Sequence, residues 1–269
     1  MREWEDLRPG PGPTAPWTPY LTIRPAPSDG RPRLFCFHHA GGSASAFTVL
    51  RNTVAAHVEV LPVQLPGREN RLRDTRPGSM AELVADLDEH LDPHLTGPYA
   101  FYGHSMGALV AHDLIARRQA RGALPPVRFI AGAARAPHLS PAFAAAWAEA
   151  DDELVQKIIA IGGMSPDLLQ YPDWLRPALD LTRADLRLCT TRGSAPVPEL
   201  SCPVDVFHGA ADPLVSEADA LAWTGRSSVD STLHRFDGGH FFFLKESPAP
   251  FAARLTTLLH RVRDLVREH

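Results

Sequence analysis

The chain has 269 residues, enough for one large α/β domain or two smaller ones, and its 44% hydrophobic and 22% charged residues exclude wholesale disorder. A formal net charge of -4 and a pI near 6.3, without a long basic run, give no general attraction to nucleic acid or to an anionic membrane surface. No uninterrupted apolar stretch is long enough to cross a bilayer, and the acidic start Met1-Arg2-Glu3-Trp4-Glu5-Asp6 lacks the basic residues and apolar run of a secretory signal.

Residues 1–30 are rich in Pro and Gly and show no period, so they read as an irregular arm whose Trp4, Trp17 and Tyr20 pack locally. Short apolar runs at 33–37 and 58–65 follow, each leaving through glycine, at His38-His39-Ala40-Gly41-Gly42 and at Pro66-Gly67, and both read as buried strands. Ser79 with Glu82 has the spacing of a capping box, and Leu83, Val84, Leu87 and Leu91 then recur at helical intervals. A strand at 99–102, a helix at 108–121 stopped by Gly122 and a strand at 129–133 complete a βαβ unit, which implies a parallel sheet covered by helices on both faces.

From 137 to 198 the strand pattern disappears and helices are expected at 142–148, 153–161 and around 175–189, as an inserted helical lid. Leu154, Ile158, Ile159, Leu168, Leu169 and Trp174 are its packing residues, some of them candidates to line a tunnel. Strands return at 204–208 and 232–236, separated by a helix that starts at Ser216 with Asp219 in its cap. A last helix begins at Pro248, with Phe251, Leu255, Leu258, Leu259, Val262 and Val266 on one stripe and Arg254, Arg261 and Arg263 elsewhere. The expected division is an arm at 1–30, a core made of 31–136 and 199–269, and the lid at 137–198.

Gly103-His104-Ser105-Met106-Gly107 is a G-x-S-x-G sequence placed between a predicted strand and a predicted helix. In that context a sharp strand-to-helix turn exposes the serine hydroxyl, and the helix N-terminus directs free N–H groups to where negative charge develops in acyl transfer. The fold expected is the α/β-hydrolase fold, a mostly parallel sheet flanked by helices. The plainer alternative is a glycine-flanked turn whose serine only caps a helix.

A hydroxyl needs a base, and in this fold the acid and then the base follow the nucleophile along the chain. His240 lies on the glycine-rich loop after the last predicted strand, which singles it out among 13 histidines. Asp212 lies beyond the carboxyl end of the strand at 204–208, where catalytic loops of open parallel sheets gather, whereas Asp205 falls within that strand and Asp237 stands only three residues before His240. The expected triad is Ser105, Asp212 and His240. The oxyanion donors expected are the Met106 N–H, directly after the nucleophile, and the Ala40 N–H in the small-residue loop after the first strand. His38 and His39 have no carboxylate or cysteine at ligand spacing, so no metal is assigned.

The segments Phe37-His38-His39-Ala40-Gly41-Gly42, Leu65-Pro66-Gly67-Arg68-Glu69, Gly103-His104-Ser105-Met106-Gly107, Gly209-Ala210-Ala211-Asp212-Pro213 and Gly238-Gly239-His240-Phe241-Phe242 together resemble the type II thioesterases of polyketide and nonribosomal peptide synthesis. Arg183-Ala184-Asp185 in the lid is similar to the family's pattern as well. The resemblance spans about residues 30 to 245 and implies a serine thioesterase that removes aberrant acyl groups from the phosphopantetheine arm of carrier proteins. It implies no cofactor of the enzyme's own, and acyl or peptidyl carrier domains as partners. Arg68, Arg71, Arg73 and Arg76 are candidates to meet an acidic carrier, although a solvated charged face is the commoner role of such a cluster. Three widely spaced cysteines, Cys36, Cys189 and Cys202, suggest neither a disulfide framework nor a metal knuckle, and a cytoplasmic monomer is expected. Rival readings are a carboxylesterase acting on small oxygen esters and, from another class, a non-catalytic carrier-binding module.

Overall fold

Six short, largely apolar segments lie side by side in a computed structural model that describes residues 15–26, 31–140, 145–192 and 197–267, with side chains for all of these but 147 and 261–267. They are β1 (Arg33–Phe37), β2 (Glu59–Val63), β3 (Tyr99–His104), β4 (Arg128–Gly132), β5 (Val204–Gly209) and β6 (Ser231–Phe236). All pair in parallel, in the order β2-β1-β3-β4-β5-β6. The inner strands are buried on both faces, which is why they read as apolar runs, whereas the edge strand β6 is half exposed.

Among the described residues seven α-helices accompany the sheet: α1 (Thr48–Val54), α2 (Met80–Leu91), α3 (Met106–Ala120), α4 (Asp151–Ala160), α5 (Pro172–Thr190), α6 (Glu217–Leu221) and α7 (Pro248–Arg267). Alternation along β1 divides the core. Phe35 and Phe37 join Leu83, Leu87, Val110 and Leu114 of α2 and α3, while Leu34 and Cys36 join Leu50, Val54, Phe251 and Leu255 of α1 and α7. The apolar stripe of α7 is buried through Leu259; the remainder of the stripe, Val262 and Val266 with Arg261 and Arg263, lies outside the described side chains.

The capping signals decide where helices begin. At α6, Ser216 Oγ accepts from Asp219 N at 3.1 Å and Asp219 Oδ2 accepts from Ser216 N at 3.1 Å, the full capping box. At α2, Ser79 Oγ accepts from Glu82 N at 3.2 Å, but the Glu82 carboxylate turns to Gly78 N at 2.7 Å, so only half of the expected box forms. Helix α1 has no counterpart in the sequence reading, because its seven residues carry no cap signal and are held by burying Leu50 and Val54.

Among the described residues no strand lies between β4 and β5. That stretch holds a 3-10 turn at Ala146–Ala148, α4, a second 3-10 turn at Pro166–Gln170, and α5, which runs through Pro177. The first part of the helix expected at 142–148 lies outside the described residues. Ala146, Leu154, Val155, Ile158 and Leu179 form a small core of their own there. Leu169 and Trp174 do not pack as expected: Trp174 is 74% exposed. In the arm, Trp4 lies outside the described residues and Trp17 is 65% exposed, contrary to local packing. Tyr20 is buried, and the backbone around it is stitched to β2 by the Leu21–Val63 bridge and by Gln64 N donating to Tyr20 O at 2.9 Å. No described helix is long and apolar enough to cross a membrane.

Candidate active site

The chain lays β2 on one side of β1 and then returns to place β3 on the other, so the connections leaving β1 and β3 part in opposite directions and open a crevice at their carboxyl ends. Phe37 is in register with Gly103, which brings the 38–42 loop and the 103–107 turn out at the same level. Gly107 makes that contact possible, since a Cβ there would stand 2.1 Å from Phe37 O. The N-terminus of α3 therefore packs directly on the exit of β1.

Ser105 sits at the turn with φ 54° and ψ -116°, a left-handed backbone for a residue with a side chain. It is held there by its N–H donating to Gly132 O at 2.8 Å and by Ala108 N donating to its carbonyl at 3.0 Å. Such a strained residue persists only where its surroundings over-determine it, and a strand-to-helix turn with its side chain thrust outward is the form a nucleophile takes in this fold.

The two downstream loops converge because β5 and β6 are neighbours in the sheet. Ala210 N donates to Phe236 O at 2.8 Å and Ala211 N to Gly238 O at 2.9 Å, tying the Asp212 loop to the His240 loop. His240 Nδ1 and Asp212 Oδ2 are 2.9 Å apart, with both side chains buried. Asp212 Oδ1 accepts from Leu214 N at 2.8 Å and Val215 N at 3.3 Å, so the loop holds the carboxylate from behind while its other oxygen faces the imidazole. Asp205 is engaged elsewhere, with Arg128 and His234, and the Asp237 side chain is exposed.

Ser105 and His240 share the wall of one cavity of about 310 Å³ with His39, Ala40 and Gly41, although no hydrogen bond joins Ser105 to His240 in this arrangement. The far side is apolar and comes from the α4–α5 region, including Leu154, Ile158, Met164, Leu168 and Leu186. Around the polar end, burial pushes His104 and His38 well below the usual imidazole range and brings His39 down to about 3, the last two helped by the charge of Arg68. The His39 ring stands edge-on to Phe241 at 4.7 Å, and His104 Nδ1 is 2.9 Å from the Tyr102 hydroxyl. Among the described residues no group of three His, Cys, Asp or Glu side chains lies together so as to hold a metal.

The arginine cluster is divided. Arg68 is buried in a two-pronged ion pair with Asp185 of α5, at 2.8 and 2.9 Å, and Arg71 is buried against the Tyr20 ring and bonded to Asp74 at 2.7 Å. Neither can face a partner protein; Arg73 and Arg76 remain exposed. Sequence reasoning noticed Arg68 and Asp185 only as parts of separate motifs, 117 positions apart, and had no signal that they meet.

Known proteins share this fold and family. The model of the thioesterase domain family matches residues 32–258. The thioesterase PikA5 of Streptomyces venezuelae is 32% identical over 82% of this chain and 78% of its own. RedJ, a thioesterase from the prodiginine biosynthetic pathway in Streptomyces coelicolor, superposes with a TM-score of 0.78 at 34% identity, covering 87% of this chain and 91% of RedJ. The type II thioesterase BorB from the borrelidin biosynthetic cluster superposes with a TM-score of 0.79 at 31% identity, covering 89% of this chain and 97% of BorB. With a serine at the turn, an α/β-hydrolase sheet beneath it and the family match running from β1 into α7, this chain belongs to the thioesterase domain family.

Proposed function

We propose that this thioesterase clears aberrant acyl groups from the phosphopantetheine arms of carrier proteins in polyketide or nonribosomal peptide synthases, with Ser105, His240 and Asp212 as its triad. The observation that carries the reading is that His240, paired with the buried Asp212 carboxylate, lines the same cavity as the strained Ser105. The likeness to BorB, a type II thioesterase from a biosynthetic cluster, supports the substrate class, and the apolar wall suits an acyl chain. The described residues between 137 and 198 serve as the lid over it.

In this mechanism His240 accepts the Ser105 proton as Oγ attacks the thioester carbonyl, and Asp212 keeps the imidazole in the tautomer that presents Nε2. The tetrahedral oxyanion is met by the Ala40 and Met106 N–H groups, neither of which has a backbone acceptor among the described hydrogen bonds. The dipole of α3 adds favourable potential at the same point. His240 returns the proton to the departing pantetheine thiol, then activates a water that hydrolyses the acyl-serine ester. The products are a free acid and a carrier thiol ready for reloading.

The three buried cysteines are all free thiols, which supports a cytoplasmic setting; there the enzyme works as a monomer on separate carriers. The test is acyl release from acetyl- or propionyl-loaded carrier. We expect the wild type to release the acid and Ser105→Ala to be slower by on the order of 10³-fold or more. Equal release by both would remove the catalytic reading in favour of a carrier-binding module. Far higher efficiency on a simple oxygen ester would make the enzyme an esterase.

A further inference from the structure

The loop that carries Ala40 is held at successive peptide units from His39 to Gly42. The His39 carbonyl accepts from Gly42 N at 3.0 Å and from His38 Nδ1 at 2.9 Å, and because the peptide is trans and planar these two bonds fix the direction of the Ala40 N–H on its other side. The next unit is held from outside the loop: Gly41 N donates to Asp185 Oδ2 at 2.8 Å. Arg68 Nη1 binds that same carboxylate oxygen at 2.8 Å and also the Gly42 carbonyl at 3.1 Å. Gly41 takes φ +73°, and α5 presses on it so closely that a Cβ there would lie 2.3 Å from Thr182 Oγ1.

Asp185 is itself anchored. At the end of its helix, Thr191 Oγ1 accepts from Met80 N at 2.8 Å, and Arg192 makes two bonds to Asp113, at 2.7 and 2.6 Å, and one to Pro137 O at 2.8 Å. A buried ion pair is a poor device for stability alone, since apolar residues of equal size usually do as well. Its value here is directional: a guanidinium and a carboxylate offer several fixed hydrogen bonds at one point, and those bonds fall on Gly41 and Gly42.

We propose that Arg68 and Asp185 are positioning residues for the oxyanion hole, fixing the loop so that the Ala40 N–H is aimed before substrate arrives. The proposal rests on the hydrolase reading above. It makes α5 part of the apparatus that stabilises the transition state as well as a wall of the acyl cavity, so the two functions share one helix.

Asp185→Ala removes the acceptor of Gly41 N–H, and Asp185→Asn keeps an oxygen for it while losing the charge. Both are compared with wild type on an acyl-N-acetylcysteamine thioester and with an acyl trifluoromethyl ketone, which forms an oxyanion on the nucleophile and uses the same donors. For Asp185→Ala the expected result is a kcat lower by on the order of 10- to 100-fold with KM within about three-fold. The ketone's inhibition constant should rise by the factor that kcat/KM falls, and Asp185→Asn should keep more activity than the alanine variant. Circular dichroism at the assay temperature establishes that each variant is folded; if Asp185→Ala is not, the same kcat and ketone comparison on Asp185→Asn decides.

A folded variant with unaltered kcat overturns the proposal, as does a loss carried by KM alone or a fall in kcat with ketone affinity unchanged. A wild type that releases no thiol would overturn the hydrolase reading and this proposal with it. An active wild type beside an unaffected Asp185→Ala overturns this proposal alone.

Discussion

At the scale of single residues, the Asp212 carboxylate has the most divided task. One oxygen is occupied by Leu214 and Val215 N–H groups and the other by the imidazole. In Asp212→Asn the loop donors claim the one remaining oxygen, so the amide NH2 turns to His240 Nδ1 and forces the tautomer in which Nε2 carries the proton and cannot act as base. We expect kcat to fall by on the order of 10³- to 10⁴-fold while the melting temperature moves by only a few degrees, read from steady-state kinetics and a thermal melt. A kcat within ten-fold of wild type would remove Asp212 from the relay. The positions of Ser105, Asp212 and His240 relative to predicted strands were legible because each follows the carboxyl end of one. The roles of Arg68 and Arg71 were not, since charge in a loop says nothing about burial until the partner that neutralises it, Asp185 in one case and Asp74 in the other, is located in space.

At the scale of elements, the α4–α5 region supplies the apolar half of the cavity. Gly163 lines it beside Phe241 and Ile158, and a Cβ there would stand 3.1 Å from the former and 3.2 Å from the latter. Gly163→Val therefore extends methyl groups into the acyl space, toward Phe241 and Ile158. Hydrolysis of an octanoyl thioester should lose kcat/KM by about ten-fold or more relative to an acetyl thioester, measured on one carrier or thiol. Equal losses for both chain lengths would show that acyl groups do not occupy this part of the cavity. Helices α4 and α5 were predicted close to where they lie, since a hydrophobic stripe announces a helix on its own, whereas of the helix expected at 142–148 the described residues show only the 3-10 turn at Ala146–Ala148. Which residues of the stripe face the cavity was not legible: Leu154 and Leu168 line it, whereas Trp174, of greater apolar area, points outward. Helix α1 shows the opposite limit, a short element whose existence depends on the sheet face it covers.

At the scale of the whole molecule, folding buries several imidazoles as neutral groups. His39 is brought down to about 3 from the ordinary 6.5, and His38 and His104 are also held well below it, with burial the first cause in each case. Above pH 6.5 these groups are neutral in both folded and unfolded chains and contribute no pH dependence. As pH falls below 6.5 the unfolded chain takes up protons that the folded chain refuses, so stability is lost progressively toward pH 3. Replacing His39 by Asn should lower the proton uptake on unfolding by about one between roughly pH 6 and 4, measured as the slope of unfolding free energy from urea denaturation at several pH values. An unchanged slope would mean that His39 titrates normally in the folded protein.

What the amino-acid order determined by itself was the alternation of strands and helices, the serine turn and the chain order of acid and base. These depend on local periodicity, on glycines beside a nucleophile, and on a sheet whose active loops must gather at one edge. Tertiary structure alone decided which distant side chains meet: Asp185 on Gly41 and Arg68, Tyr20 under Arg71, the α5 wall against the loop after β1. Such contacts join segments far apart in the chain, and their energy comes from burial and mutual neutralisation, quantities that exist only once the chain has closed around them.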